Sequence, residues 1–352
     1  MRVFSYFVEP ASYTLDLINN IYLKLKIPFV FIKGNSKAKS SQKVDKENFL
    51  NERTLLRKVA LVYEIWSKYD LIIINGYNNY PFILTFIFNT LSCKKRYIAI
   101  ESDTQLNIPR NIFKQIVKSI YLNIIFRSKY VIGFAGGSKT HKQLFSFYGM
   151  TEDRIYLMPM MVDNDKYYLD NKIFPEVFTF LFVGRLIDTK NVDKLCEIFI
   201  SAFSDLKAQL IIVGGGDNLE DYKKRYCHDK IHFKGSVFGD ELLSYYKNAS
   251  LLVFPSSVEA WGLVINEAMS SSLPIIVHKE VGAVHDLIMD KSTGFVIENW
   301  MELESKMMEM YSNPSKCEVF SENAEKLMKE HWNYQLYKKN LSNVIKRIEE
   351  CL

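Results

Sequence analysis

Two glutamates lie eight residues apart, one on each side of a glycine that opens a helix. Glu259 precedes Gly262, and Glu267 lies about two turns into that helix. Ionised carboxylates only accept hydrogen bonds, so they suit the hydroxyls of sugars. The amides between them are unpaired and lie at the positive end of the helix dipole, which suits a phosphate. The pattern indicates a nucleotide-sugar ligand; alternatively, the two acids are surface residues near a helix start, where acids are favoured.

A second group of charged residues follows a predicted strand earlier in the chain. Arg185 and Lys190 come after the apolar run Phe178 to Val183 and before the predicted helix Val192 to Ala202. The guanidinium offers a planar fork and the ammonium a point charge, so together they could hold a diphosphate. The alternative is a solvated basic loop.

Buried strands and helices alternate around these residues. Leu251 to Phe254 and Ile275 to Val277 read as buried parallel strands, joined by a loop and a helix. This alternation predicts a doubly wound α/β sheet, in which ligands bind at the carboxyl ends of the strands. Further strands are expected at Val3 to Val8, Ile27 to Lys33, Leu71 to Ile74, Arg96 to Ile100, Tyr130 to Phe134, Arg154 to Pro159, Gln209 to Val213 and Ile231 to Lys234.

Length and composition narrow the class of protein. A chain of 352 residues is long enough for two domains, and a net charge of +5 is too small to indicate a nucleic-acid partner. Its five cysteines are scattered without a C-x-x-C pair, so neither a zinc site nor a disulfide framework is indicated. With no signal-peptide pattern and no apolar run long enough to span a bilayer, we expect a cytoplasmic protein.

The two charged motifs together resemble those of retaining glycosyltransferases of the GT-B fold, glycosyltransferase family 4. The resemblance implies two Rossmann-like α/β domains facing across a cleft. We expect an acceptor-binding domain at 1–165, a domain for the nucleotide-sugar at 176–330, and a final helix at 331–352 that crosses back to the first domain.

The same resemblance implies roles for individual residues. The first glutamate would contact the transferred sugar and the second the ribose, while Arg185 and Lys190 would bind the diphosphate. The candidate catalytic residues are Glu259, Arg185, Lys190 and Asp103. The candidate donor-binding residues are Gly184, Arg185, Lys190, Val237, Glu259, Trp261, Gly262, Leu263, Val264 and Glu267. No metal and no cofactor are implied, and the donor would be linked to UDP or GDP.

The first half departs from the family pattern at the position near the sugar. Many members carry a histidine after the fourth strand, whereas this chain has Glu101, Ser102 and Asp103. Glu101 or Asp103 could take the sugar-facing role. The alternative is that Asp103 or Thr104 caps a helix ahead of Leu106.

We therefore expect transfer of a sugar, with retention of configuration, to a glycan or lipid-linked acceptor in bacterial polysaccharide or glycoconjugate synthesis. The alternatives are a GT-B-shaped sugar-nucleotide epimerase and a non-catalytic nucleotide-sugar-binding protein.

One helix and one loop of the first half also indicate a membrane surface. Apolar residues recur at helical spacing from Asn111 to Tyr130 beside a basic edge, and Lys33 to Lys46 is a lysine-rich loop. These features could dock the protein peripherally on the anionic inner leaflet, near a lipid-linked acceptor. The alternative is an ordinary helix whose apolar stripe packs on the sheet.

Overall fold

The computed structural model describes residues 1–34, 48–169, 172–289 and 292–350. Contacts within the chain divide it into two units. Unit 1 consists of Met1–Asp163 and Tyr334–Leu352, and unit 2 of Asn164–Asn333.

Unit 1 is built on six parallel strands, which form from short apolar runs in which nearly every side chain is buried. Their order is β2-β1-β3-β4-β5-β6. The strands are β1 Val3–Phe7, β2 Phe29–Phe31, β3 Leu71–Asn75, β4 Tyr97–Ser102, β5 Val131–Ala135 and β6 Ile155–Leu157. All six were predicted from continuous apolar runs, with ends that differ by one or two residues. The chain reverses direction across the sheet between β1 and β3, which makes this the switch point of unit 1.

Six α-helices cover this sheet in the described part of unit 1. They are α1 Ser12–Leu17, α2 Leu55–Lys68, α3 Tyr80–Leu91, α4 Ile112–Phe126, α5 Lys142–Phe147 and α12 Tyr334–Glu349. A π-helical turn, Ile18–Tyr22, continues α1. The last helix, α12, buries Tyr337, Leu341, Val344 and Ile348.

Unit 2 repeats the plan with a second parallel sheet of six strands in the order β12-β11-β10-β7-β8-β9. The strands are β7 Phe178–Val183, β8 Ala208–Val213, β9 Ile231–Gly235, β10 Leu251–Phe254, β11 Ile275–His278 and β12 Gly294–Ile297. The central strands β7 and β10 are neighbours, and the chain reverses direction between them. The carboxyl ends of these two strands therefore flank the switch point of unit 2.

Six helices accompany the second sheet in the part that the structure describes. They are α6 Val192–Phe203, α7 Leu219–Arg225, α8 Asp240–Lys247, α9 Leu263–Ser270, α10 Trp300–Ser312 and α11 Pro314–Glu330. The sequence did not predict α7 or α8. The helical segment is interrupted at Pro314: α10 ends at Ser312, and Pro314 is the first residue of α11, whose cap is Asn313.

The surface of α4 differs from what an ordinary sheet-covering helix would show. Leu122, Ile125 and Phe126 are buried. Six other apolar side chains of α4 are between 50% and 74% exposed: Ile112, Phe113, Ile116, Val117, Ile120 and Ile124. The alternative in which the apolar stripe packs on the sheet is therefore wrong for these six residues. At 100° per residue they span an arc of about 140°, which we call the apolar arc of α4.

The other parts of the membrane hypothesis are only partly within the described residues. Of the basic edge, Arg110, Lys114, Arg127 and Lys129 are exposed and Lys118 is half-buried. Most of the lysine-rich loop, 35–47, lies outside the described residues. Within the described ranges, no helix combines the length and hydropathy needed to cross a bilayer.

Candidate functional site

The candidate donor residues of unit 2 follow the carboxyl ends of its strands. Gly184 and Arg185 follow β7, and Glu259 lies in the loop after β10. Several hydrogen bonds join these loops; among them, Asn191 Nδ2 donates to the Pro255 carbonyl at 2.9 Å, and the Ser257 amide donates to the Thr189 carbonyl at 2.9 Å. The switch point thus brings together charged residues about 70 positions apart in the chain.

Lys190 is buried and paired. It ends a 3-10 turn, Asp188–Lys190, after which Asn191 adopts a left-handed conformation with φ of 51°. Its side chain is 6% exposed, and its ammonium donates to Glu259 Oε2 and to Ser256 Oγ, the latter at 3.2 Å. The alternative of a solvated basic loop is therefore wrong for this lysine. Two candidate catalytic residues, Lys190 and Glu259, are in direct contact.

Arg185 is exposed, and within the described residues its guanidinium has no ion pair or hydrogen bond. The backbone of the loop that carries Arg185 packs against the glycine turn after β8. Gly214 has a φ of +146°, and a Cβ there would lie 1.7 Å from the carbonyl oxygen of Gly184. The Leu186 amide donates to the Gly215 carbonyl at 2.8 Å. Because only glycine allows this approach, the turn fixes the backbone of Arg185 while its side chain faces solvent.

The helix start between the two glutamates has the geometry expected of it. Gly262 is left-handed, with φ of 96°, and α9 begins at the next residue. Leu263 and Val264 occupy the first turn of α9 and are half-buried. Trp261 is a core residue: its indole nitrogen donates to Asn266 Oδ1 at 2.8 Å, and its ring stacks on Trp332 at 5.5 Å. Only its main chain is therefore suited to the predicted role.

Glu267 lies in α9 and has a partner that the sequence did not indicate. Its Oε2 accepts a hydrogen bond of 2.6 Å from the hydroxyl of Tyr246, which is fully buried at the end of α8. Burial raises the pKa of the Glu267 carboxyl, and the tyrosine hydrogen bond partly offsets this effect. The carboxylate is thus fixed in one orientation. Val237, the remaining candidate, is buried in the loop after β9.

Asp103 belongs to unit 1, where it follows β4. The helix-capping alternative for Asp103 or Thr104 is wrong, because α4 does not begin until Ile112 and its cap is Asn111. Glu101, two residues before Asp103, accepts hydrogen bonds from Tyr337 and Asn75, at 2.9 Å and 2.7 Å. The sequence contained no signal for Tyr337, because a tyrosine in a helix 236 residues away is indistinguishable from other core aromatics.

No group of three or more His, Cys, Asp or Glu side chains that could hold a metal ion occurs among the described residues. Whether the chain works without a metal stays a prediction.

Comparison with known families gives a match to unit 2. Residues 164–327 match the model of the family described as glycosyl transferases group 1. These residues contain every donor-binding candidate named above.

The chain is also similar to curated proteins over part of its length. It is 31% identical to an uncharacterised glycosyltransferase of Methanocaldococcus jannaschii over 49% of this chain and 45% of that protein. It is 34% identical to the sulfoquinovosyl transferase SQD2 of Arabidopsis thaliana over 34% of this chain and 23% of that protein. The alignments thus span less than half the length of these two relatives.

Among solved structures, the chain superposes on Anabaena HepE in complex with UDP with a TM-score of 0.74, at 15% identity, over 99% of this chain and 100% of that one. HepE has also been solved with UDP-glucose. At this identity the likeness establishes the fold, which is GT-B, as the sequence predicted.

Proposed function

We propose that the chain is a glycosyltransferase that moves a sugar from a nucleotide-sugar to a glycan or lipid-linked acceptor, with retention of configuration. One observation carries the proposal. At the switch point of unit 2, a buried lysine contacts a glutamate, and an arginine on the neighbouring loop is exposed. A structural loop has no need of a buried ammonium beside a partly exposed carboxylate, because removing the ammonium from water is costly.

The proposed chemistry uses each of these groups for a different part of the donor. Breaking the bond between sugar and diphosphate leaves negative charge on the diphosphate. Arg185, Lys190 and the first amides of α9 would stabilise that charge. Glu259 would accept hydrogen bonds from the sugar, and Glu267 from the ribose. HepE, which shares the fold, binds UDP and UDP-glucose, which supports a nucleotide-sugar as donor.

Release of nucleoside diphosphate from candidate donors tests this function. The protein is incubated with UDP-glucose, UDP-galactose, UDP-N-acetylglucosamine and GDP-mannose, and the free nucleotide and the sugar are both analysed. We expect release from at least one donor, and a loss of about 100-fold in Arg185→Ala, because one charged contact to the transition state is removed. Lys326→Ala, which removes an exposed lysine from α11, is the matched control and should retain full activity.

The same assay distinguishes the alternatives. Conversion of the donor into an epimer without release of the nucleotide would identify an epimerase. Binding without turnover, across a panel of glycan and lipid acceptors, would identify a nucleotide-sugar-binding protein. Either result would overturn the proposal.

We propose further that unit 1 associates peripherally with an anionic membrane through α4. An exposed contiguous apolar surface of this kind marks an interaction site. Burial of the apolar arc in the headgroup region would remove its side chains from water, while the flanking Arg110, Lys114 and Arg127 would add about 1 kcal/mol each near anionic lipid. Because this basic edge complements an anionic surface, a bilayer suits the arc better than an uncharged protein partner. The inner leaflet of the cell membrane is the proposed location.

A further inference from the structure

The Glu267 carboxylate is held by two tyrosines from different parts of unit 2. Tyr246 of α8 donates to its Oε2 at 2.6 Å. Tyr167, in the stretch that precedes β7, also donates a hydrogen bond to this carboxylate. The two rings meet edge to face, with their centroids 6.1 Å apart. Both hydroxyls therefore converge on one side chain.

A glutamate needs such partners to keep its carboxylate in one plane. The terminal torsion of the side chain has a broad minimum, so the backbone of α9 does not fix it. Glu267 is half-buried; burial raises the pKa of its carboxyl, whereas the hydrogen bonds from Tyr246 and Tyr167 lower it. An ionised carboxylate has about four acceptor positions, and the two tyrosines use two of them. The others are left for the hydroxyls of a ligand.

Tyr167 is tied through its backbone to the helix that carries Glu267. Its carbonyl accepts a hydrogen bond of 2.8 Å from Ser271 Oγ, and Ser271 directly follows the last residue of α9. The stretch that precedes β7 and α9 are therefore joined at two points, one at the Tyr167 backbone and one at its hydroxyl.

Tyr246 is also held through its backbone, by Lys172 from the same stretch. The Lys172 ammonium donates to the carbonyls of Tyr246, Lys247 and Ala249, at 2.9 Å, 2.8 Å and 2.6 Å. The last carbonyls of a helix have no intrahelical partner and lie at the negative end of its dipole, so a cation suits them. Burial lowers the pKa of Lys172 to about 7. All three N–H groups of this partly desolvated cation thus hold the end of α8.

We infer that Tyr167 and Lys172 are positioning residues for the nucleotide. Tyr167 acts directly and Lys172 acts through Tyr246, and together they hold the Glu267 carboxylate where the ribose hydroxyls reach it. The inference rests on the proposed function, in which Glu267 meets the ribose. Because either tyrosine can anchor the carboxylate, the loss of one hydroxyl should have a small effect and the loss of both a large one.

Discrimination between nucleotides with and without ribose hydroxyls tests the inference. Calorimetry on the whole chain measures the dissociation constants of UDP, GDP and their 2′,3′-dideoxy forms. We call the constant of the dideoxy form divided by that of the ribonucleotide the ribose ratio. For the base that binds, we expect a ratio of about ten or more in the wild type, because the dideoxy form cannot donate to Glu267.

The double variant Tyr167→Phe/Tyr246→Phe should lower the ribose ratio to about two, whereas each single variant should stay near the wild-type value. Both nucleotides of a pair carry the same base and diphosphate. A general loss of structure would therefore weaken both and leave the ratio unchanged. The matched control is Tyr168→Phe/Tyr245→Phe, which removes the hydroxyl of the tyrosine next to each of the two and should keep the wild-type ratio.

Lys172 is tested in the Tyr167→Phe background, where the orientation of Glu267 depends on Tyr246. There Lys172→Met should lower the ribose ratio. Lys247→Met, which removes an exposed lysine from the same end of α8, should not. This pair also decides the matter if the double tyrosine variant fails to fold.

The inference is wrong if the double tyrosine variant or Lys172→Met keeps the wild-type ratio, or if the controls lose it. A wild-type protein that binds UDP or GDP with a ratio near one would also overturn it, while leaving sugar transfer possible. A wild-type protein that binds neither nucleotide would instead contradict the proposed function, and the inference with it.

Discussion

At the scale of single residues, the contact between Lys190 and Glu259 changes what each can be expected to do. The sequence placed Lys190 in a loop, where it would either bind a diphosphate or be solvated. The Lys190 ammonium is buried against the Glu259 carboxylate. Removing Lys190 would therefore leave the negative charge of Glu259 without its partner, and the free energy of unfolding would fall together with activity. Substitution of Arg185 tests the diphosphate-binding role more directly, because its side chain is exposed and its loss should change stability little.

The two glutamates should separate in a binding experiment. We predict that Glu267→Ala weakens the binding of free UDP or GDP by about 1.5–3 kcal/mol, because a hydrogen bond from the ribose to a charged group is lost. Glu259→Gln keeps the shape of the side chain and should reduce sugar transfer far more than nucleotide binding. Calorimetry with the bare nucleotide gives the first quantity and turnover the second. Tyr246→Phe, which frees Glu267 but keeps its charge, is the control. Equal losses of nucleotide affinity in both glutamate variants would contradict the assignment.

Glu101 should make the stability of the protein depend on pH. Burial raises its pKa from 4.5 to about 7. A carboxyl whose pKa is higher in the folded state does not lower the free energy of unfolding below pH 4.5. Its destabilising effect grows as the pH rises and is complete above pH 7. We predict that Glu101→Gln gains stability relative to the wild type by about 2 kcal/mol between pH 5 and pH 8. Urea unfolding at the two pH values measures this. A constant difference between the two proteins would show that Glu101 ionises normally.

Much of the donor site could be predicted from sequence, because each motif is local. Gly262 predicted a helix start, and it is one. The partners could not be predicted: Ser256 with Lys190, Tyr246 with Glu267, and Tyr337 with Glu101. The last two lie 21 and 236 residues from their glutamates along the chain, and nothing in their local sequence distinguishes them from core residues.

At the scale of elements, the apolar arc of α4 is the clearest departure from an ordinary α/β domain. Helical spacing in the sequence indicated an apolar face but not which way it points, because α4 has apolar residues on both sides. Three of them bury against the unit and six remain exposed. The short helices α7 and α8 were not predicted, because each buries only one side chain, Tyr222 in α7 and Tyr246 in α8. Their sequences therefore contain no apolar residues that repeat at helical spacing.

The arc predicts the behaviour of the protein with lipid vesicles. We expect co-sedimentation at low salt with vesicles of phosphatidylglycerol and phosphatidylcholine, and little with phosphatidylcholine alone. Replacing both Ile116 and Ile120 by serine should lower the bound fraction about tenfold or more, because two large apolar groups no longer leave water. Met301→Ser changes an even more exposed apolar residue, on α10, and should have no effect. A wild-type protein that stays in the supernatant, or a double variant that still sediments, would refute the role of α4.

At the scale of the whole molecule, the sequence predicted the two parallel sheets well. Runs of Ile, Leu, Val and Phe bounded by turns leave little choice other than strands buried on both faces. The expectation that a final helix belongs with the first domain came from the family resemblance alone, because α12 reads locally as one more segment of a long helical tail. Its packing with unit 1 depends on side chains such as Tyr337 and Leu341, which no local pattern connects to the first sheet.

Unit 1 is therefore made of two stretches of chain with all of unit 2 between them, and this affects how the protein forms on the ribosome. Domains usually complete folding in the order in which they are synthesised. Here β1 to β6 emerge before unit 2, but the helix that buries Tyr337, Leu341, Val344 and Ile348 emerges after it. Unit 2 can fold as soon as its own residues have left the ribosome, whereas the first half of the chain keeps an apolar surface uncovered until α12 has also emerged. A nascent chain stalled just before Tyr334 should thus carry a protease-resistant second unit and a protease-sensitive first one.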